Sequence, residues 1–203
     1  MRKFFHPDNM LWQDVGYIGD LVITSCLWVL GCVGIITAGA SCIAMYDVTA
    51  HCVKKHESGM IQRFFHTFRT EMKTGIKMTL LWLLIFTILT FAHQGLLNFA
   101  VIFPQAKMTA LLFFELIPLS VGILAWAFAL ESRFHYSFGA LHKNAVLMAL
   151  GYLPRTVLVI LIAVLAFIGC SYFPVAAILL PGLAVRLHAT MIEPVLQKYT
   201  STH

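Results

Sequence analysis

Few side chains in this sequence stand where they could do chemistry. Glu115 and Arg186 each interrupt a long apolar run, and an ionisable group at membrane depth is costly enough to mark a functional position until a partner is found for it. Glu115 precedes Pro118 by three residues, beside backbone freed by the proline, and Arg186 follows Pro181 by five. Two plainer roles stand beside these: a neutral, hydrogen-bonded carboxyl at Glu115, and at Arg186 a side chain that snorkels to the cytoplasmic surface. Ser120 and His188 are too few to join the pair into a polar track across several spans.

A second group lies in one polar stretch, where His51, Cys52, His56 and His66 are all metal-capable. Cys52 and His56 are spaced to share a helix face, but zinc needs three or four converging ligands and this spacing supplies two. A solvated loop accounts for them better. Nothing places a base beside any of the five cysteines, and neither a phosphate-binding glycine loop nor HExxH occurs. The sequence therefore points to no catalytic residue, no metal and no cofactor, and away from an enzyme.

The elements that must position these groups are long apolar helices. Between Asp20 and Asp47 lie 26 residues without a charge, and about 20 suffice to cross a bilayer. At 60% hydrophobic and 11% charged, the 203 residues depart far from a soluble domain, where about 25% are charged. The predicted fold is all-α: a polytopic transmembrane helix bundle with about five spans, near 20–47, 76–99, 109–130, 156–173 and 174–192. The run over 156–185 is broken by Gly169, Ser171 and Pro174, which favours a tight hairpin over one overlong helix. Pro104, Pro154 and Pro194 mark boundaries, whereas Pro118 and Pro181 fall inside spans and should kink them. Within the first span Gly34, Ala38 and Cys42 recur every four residues and, with Gly39, form a small-residue ridge for a neighbouring helix.

Two further helices belong to the basic connections. Over 60–73 the residues Phe64, Phe65 and Phe68 share an apolar face, while Arg69 and Lys73 take the other side. Such a helix lies on the membrane surface or docks on its own protein; both use the same face. A second stripe over 134–150 begins Arg133-Phe134, much as the first contains Arg63-Phe64, which hints at a duplicated unit. Arg63, Arg69 and Arg133 with the phenylalanines, Phe134 among them, are thus candidate contacts for the membrane surface or a partner. The aromatic N-terminal residues 1–17 read as a short interfacial segment.

With five spans, three Lys and Arg residues fall on one side and eleven on the other. The positive-inside rule then places the basic side in the cytoplasm, the N-terminus outside and the C-terminus inside. The net charge of +5 thus reads as orientation and not as a nucleic-acid partner. Asp47 and Glu131 mark cytoplasmic helix ends, where basic neighbours should pair with them, and His93 sits near the outer interface.

Gly19-Asp20-Leu21, Leu27-Trp28-Val29-Leu30, Cys32, Thr37-Ala38-Gly39-Ala40, the stretch Phe65 to Gly75, Arg133-Phe134, Lys143-Asn144-Ala145 and Leu153-Pro154-Arg155-Thr156 follow one another in an order and spacing that resembles the YesL family of bacterial integral membrane proteins. That pattern often carries proline where this chain has Gly34 and Ala129. The resemblance supplies no catalytic residues. It implies a bacterial plasma-membrane protein that accompanies carbohydrate uptake, with a sugar ABC transporter permease or a sensor kinase as partner. The expected function is accordingly an accessory or regulatory subunit; the alternative is a small independent transporter or channel using Glu115 and Arg186, with a homo-oligomer possible in either case.

Overall fold

The computed structural model describes residues 10–53 and 59–200, and the side chains of 19–51 and 59–199. Residues 1–9 of the interfacial segment expected at the N-terminus, and the side chains of Cys52, Lys54, Lys55 and His56, lie outside these described residues, whereas 10–17 form the start of the first helix. Eight α-helices account for most of the chain: α1 (Met10–Cys32), α2 (Ala38–Val48), α3 (Met60–Thr70), α4 (Met72–Phe99), α5 (Ala106–Glu131), α6 (Phe138–Gly151), α7 (Leu153–Tyr172) and α8 (Leu180–Thr200). Among the described residues, three helices are long and apolar enough to cross a membrane on their own: α4, α5 and α7. In α1 the apolar part within the described range is Gly19–Cys32. The expected fifth crossing at 174–192 is displaced: Pro174–Ile178 is a single 3₁₀ turn, and α8 carries Arg186, Glu193 and Lys198 along its length.

The continuous helix expected over 20–47 does not form. Backbone at Gly34 is extended, a short turn at Ile35–Thr37 follows, and α2 folds back against the last turns of α1. Ser41 Oγ donates to the carbonyl of Trp28 at 3.0 Å, and the Trp28 indole N–H reaches Cys42 Sγ at 3.3 Å. In an unbroken helix those residues would stand about 20 Å apart. The thirteen-residue offset therefore fixes a reversal, and the ridge of Gly34, Ala38 and Cys42 is not one ridge. Gly34 serves the bend, Ala38 opens α2, and Cys42 accepts the indole. Close backbone approach occurs instead at Gly39 and Gly75, where a Cβ on either would collide with backbone of the other helix, and Thr79 Oγ1 accepts the Gly39 N–H at 2.8 Å. Gly182 plays the same part for α8 against the Leu21 backbone of α1, while at Gly122 of α5 a Cβ would meet the side chains of Thr156 and Ile160 on α7.

Two ends of the bundle can be told apart. Glu131 at the end of α5 lies beside Glu71, the residue that joins α3 to α4, and Thr156 in the first turn of α7 accepts the Trp126 indole N–H at 3.0 Å. These contacts gather α3, the start of α4, the end of α5 and the start of α7 at one end, here the near end. Leu21 and Ser25 of α1 touch Gly182, at the far end where α8 begins, whereas Gly31 lies against Phe68 of α3. So α1 runs from the far end to the near end, and α2 and α3 close the near end beneath the bundle.

Helix α3 is the expected amphipathic helix, started by Gly59 in the left-handed conformation (φ 96°), which only glycine adopts at no cost. Phe64 is 2% exposed and packs on Ala44, Met45 and Val48, with Phe68 stacked on it at 6.1 Å. Of the two dockings open to it, α3 takes the one on its own protein, and Phe65 and Ile61 face outward. The second surface helix is corrected further. Residues 132–137 are non-helical, α6 starts at Phe138, and its Leu141, Ala145 and Ala149 are fully buried in the main core with Trp126, Ala127 and Leu130. Its outer face bears Val146, Leu147 and Leu150 beside the exposed Lys143. Arg133-Phe134 thus precedes a helix, while Arg63-Phe64 is inside one, and the two motifs are not equivalent. The prolines are also redistributed. Pro118 is interior to α5 as expected, Pro181 occupies the first turn of α8 where its missing N–H costs nothing, and Pro194 is interior to α8.

Candidate functional site

The near end is a polar layer, because helices that finish at a membrane surface place their last side chains where charge is tolerated. Asp47, buried at the end of α2, receives Arg63 in a fork: Nε to Oδ2 at 2.8 Å and Nη2 to Oδ1 at 2.9 Å. Thr67 Oγ1 donates to Oδ2 at 2.8 Å, and His51 Nδ1 lies 3.0 Å from Oδ1. Burial pushes the Asp47 carboxyl up, but the hydrogen bonds from His51, Arg63 and Thr67 and the guanidinium charge outweigh it and hold the group well below the usual carboxylate range. Two residues of α3 one turn apart thereby clamp α3 onto α2.

A second buried ion pair ties the link after α5 to α8. Arg133 Nη2 donates to Glu193 Oε2, and the Tyr46 hydroxyl donates to Glu193 Oε1 at 3.3 Å. Glu193 is 1% exposed, so this link, α2 and α8 meet on one carboxylate. Arg133 is therefore a core ion-pair residue and not the surface contact that the sequence led one to expect. Phe134 beside it packs on the main core, against Tyr136.

Between these two pairs lies an arrangement of different character. Glu131 and Glu71 are both buried and face each other, with His135 Nε2 at 3.5 Å from Glu71 Oε1. Burial first, and then the neighbouring Glu71 charge, push the Glu131 carboxyl up to about 7. A cavity of about 150 Å³ opens beside them, lined by Glu71, Glu131, Thr67, Thr70, Ser132 and His135 with Asp47 and His66 at its edge. Asp47 finds its basic neighbour, as expected of a charged helix end; Glu131 finds another carboxyl. Among the described residues, no three His, Cys, Asp or Glu side chains converge on one point as a metal site requires.

A larger chamber of about 400 Å³ lies in the apolar layer among α1, α2, α5, α7 and α8, lined by Trp28, Met45, Leu124, Phe128, Ala166 and Pro181 among others. Its polar groups are already engaged: the Trp28 indole with Cys42, and the His188 ring, whose Nε2 lies 3.0 Å from the Val159 carbonyl oxygen.

Glu115 and Arg186 are not brought together. Glu115 is exposed on the outer face of α5 among Leu111, Leu112, Phe114 and Leu116, and it forms no hydrogen bond or ion pair with the described residues. Arg186 is half-buried in α8. His93 is half-buried, with Nδ1 at 2.9 Å from the Ala110 carbonyl and its ring against Phe114. Arg69 is exposed on α3. Sequence reasoning overlooked the Glu71 and Glu131 pair because sixty residues separate them and each alone resembles a solvated helix end. A legible signal was that Glu131 directly adjoins the apolar run 109–130, where a carboxylate has little water.

Residues 21–92, from α1 through most of α4, match the model of a family described as a protein of unknown function, DUF624, and neither a curated protein nor a solved structure matches the chain.

Proposed function

We propose that this chain is an integral membrane protein that serves as an accessory or regulatory subunit of a carbohydrate ABC-type uptake system in the bacterial plasma membrane. The observation that carries the reading is Glu115: a carboxyl exposed on an otherwise apolar helix face, without a partner among the described residues. On a face that would otherwise meet lipid, such a group costs roughly 2.5–3.5 kcal/mol when charged at mid-bilayer, and a donor on a partner's helix removes that cost. A protein that moved a polar substrate by itself would turn such groups inward. Here the inner chamber is apolar and its few polar atoms are engaged internally. The YesL resemblance supplies the kind of complex, a sugar permease with its companions. In this reading the near end, with Arg63, Arg69, Lys73 and Arg133, faces the cytoplasm by the positive-inside rule, and the start of α1 lies outside.

Isolation from the native membrane in mild detergent, followed by identification of bound proteins, tests it. A sugar permease should co-isolate with the parent chain, persist with Glu115→Gln, which keeps size and hydrogen bonding, and be lost with Glu115→Leu. A homo-oligomer with no permease, combined with uptake by the reconstituted chain alone, would overturn the accessory role in favour of an independent transporter.

A further inference from the structure

The cavity between Glu71 and Glu131 has a chemistry that selects its occupant. Every hydroxyl at its wall has already spent its hydrogen: Thr67 Oγ1 donates to Asp47, Thr70 Oγ1 to the His66 carbonyl at 2.9 Å, and Ser132 Oγ to the Ala129 carbonyl at 2.9 Å. Their lone pairs remain. Glu131 is 3% exposed, and its Oε2 is buried without a hydrogen-bond partner although Thr74 and Glu71 adjoin the carboxyl. Asp47 is satisfied by Arg63, whereas no lysine or arginine among the described residues pairs with Glu71 or Glu131. The cavity is thus a cluster of acceptors, two of them carboxyls, with His66 and His135 as its possible donors.

We infer that the cavity between Glu71 and Glu131 is a binding site for a guanidinium cation. A compact metal ion is the poorer occupant, because no three ligand side chains converge. An ammonium places its three donors on one atom and meets the same difficulty. A guanidinium spreads five N–H donors over a rigid plane and can bridge carboxyls that do not converge, with the hydroxyl lone pairs taking the remainder. About 150 Å³ accommodates such a plane, and several waters when it is absent. His135, with its side chain 79% exposed, stands at the mouth beside Glu71.

Proton competition follows from the same geometry. The groups facing the pair are His66 of α3, Thr74 of α4, His135 of the link, and Asp47 already neutralised by Arg63. With Glu131 raised to about 7, the empty pair holds a proton below neutrality, and the cation must displace it. Affinity should rise about tenfold from pH 6 to pH 8.

The test is calorimetric titration of the full chain in detergent with methylguanidinium, with methylammonium, tetramethylammonium and magnesium as comparison cations. Methylguanidinium should bind in preference to all three, with proton release at pH 7. Glu131→Gln and, separately, Glu71→Gln should each lower affinity at least tenfold, and Glu131→Gln should remove most of the proton release while an unchanged helical signal shows the protein folded. Equal binding of tetramethylammonium, absence of methylguanidinium binding in the folded parent, or affinity indifferent to both substitutions would overturn the site. Free arginine and arginine capped at both ends distinguish the source. Tighter binding of the capped form marks a side chain of a partner protein, equal binding a small metabolite, and either leaves the guanidinium site standing. The site is independent of the accessory role, since it is read by direct titration with no permease present.

Discussion

Removal of the Arg63 guanidinium is the sharpest perturbation of the near end. Arg63→Ala deletes both arms of the fork on Asp47 and leaves a carboxylate whose side chain is 6% exposed, held by Thr67 and His51 alone. Breaking a buried ion pair from one side costs roughly 3–5 kcal/mol. The Arg63 side chain is itself 37% exposed, however, so water can enter its place, and screening reduces the expected loss to about 2 kcal/mol. For a chain of this size that corresponds to roughly 4–8 °C in the midpoint of thermal unfolding, followed by circular dichroism in detergent. The pH dependence has a definite sign. The Asp47 carboxyl lies below its unfolded value, so its contribution is present above about pH 4 and disappears as pH falls through the folded value. Parent and Arg63→Ala should therefore differ fully at pH 7 and converge in acid. A double-mutant cycle with Asp47→Asn should return about 1–2 kcal/mol of coupling, and hydrogen exchange in residues 60–70 should accelerate in either single variant. A midpoint within about 1 °C of the parent at pH 7, with exchange unchanged across α3, would refute the clamp.

Two other changes separate neighbouring residues of the same type. Phe64→Ala should destabilise by roughly 3–5 kcal/mol and loosen α3, whereas Phe65→Ala, at 47% exposure, should stay within about 0.5 kcal/mol; thermal unfolding of the two variants side by side decides it. Gly75→Ala drives a Cβ into the backbone of Ala40 and should cost roughly 1–3 kcal/mol or more, while Gly95→Ala meets nothing within 4 Å and should be neutral or stabilising; equal midpoints would contradict the close approach of α2 and α4.

What the sequence made legible was whatever depends on one helix at a time. The apolar runs of α4, α5 and α7 appear as helices close to their expected limits, and the face of α3 bearing Phe64 and Phe68 is the face it buries. Composition did not reveal the reversal after Cys32, since the residues on both sides are equally apolar and the contacts that fix it, Ser41 and Cys42 with Trp28, are made between helices. The same limit hid the pairing of the near end. Arg133 looked like a surface residue because its partner Glu193 lies sixty positions away in a helix expected to end before it. Small residues were recognised as approach points, but Gly75, Gly122 and Gly182 act through what a Cβ would strike across the interface, which no spacing within one helix reports.

The near end and the outer face of α5 consequently make opposite demands. At the near end Arg63 is committed to Asp47 and Arg133 to Glu193, while Glu71 and Glu131 pair with no lysine or arginine among the described residues, so a proton on Glu131 or a cation from outside the chain can answer their charge. On α5 the Glu115 carboxyl has no cation beside it among the described residues, and an apolar face makes such a group costly until a donor on another helix arrives. The two sites are separable by position and by what substitution does to each. Substituting Glu131 should alter a titration near neutrality that is read in the aqueous layer, whereas Glu115→Gln keeps size and hydrogen-bonding capacity on a face without partners among the described residues and should leave the stability of the isolated chain unchanged. If Glu115→Gln instead destabilised the isolated chain by more than about 1 kcal/mol, the carboxyl would be partnered within the protein and would call for no external helix.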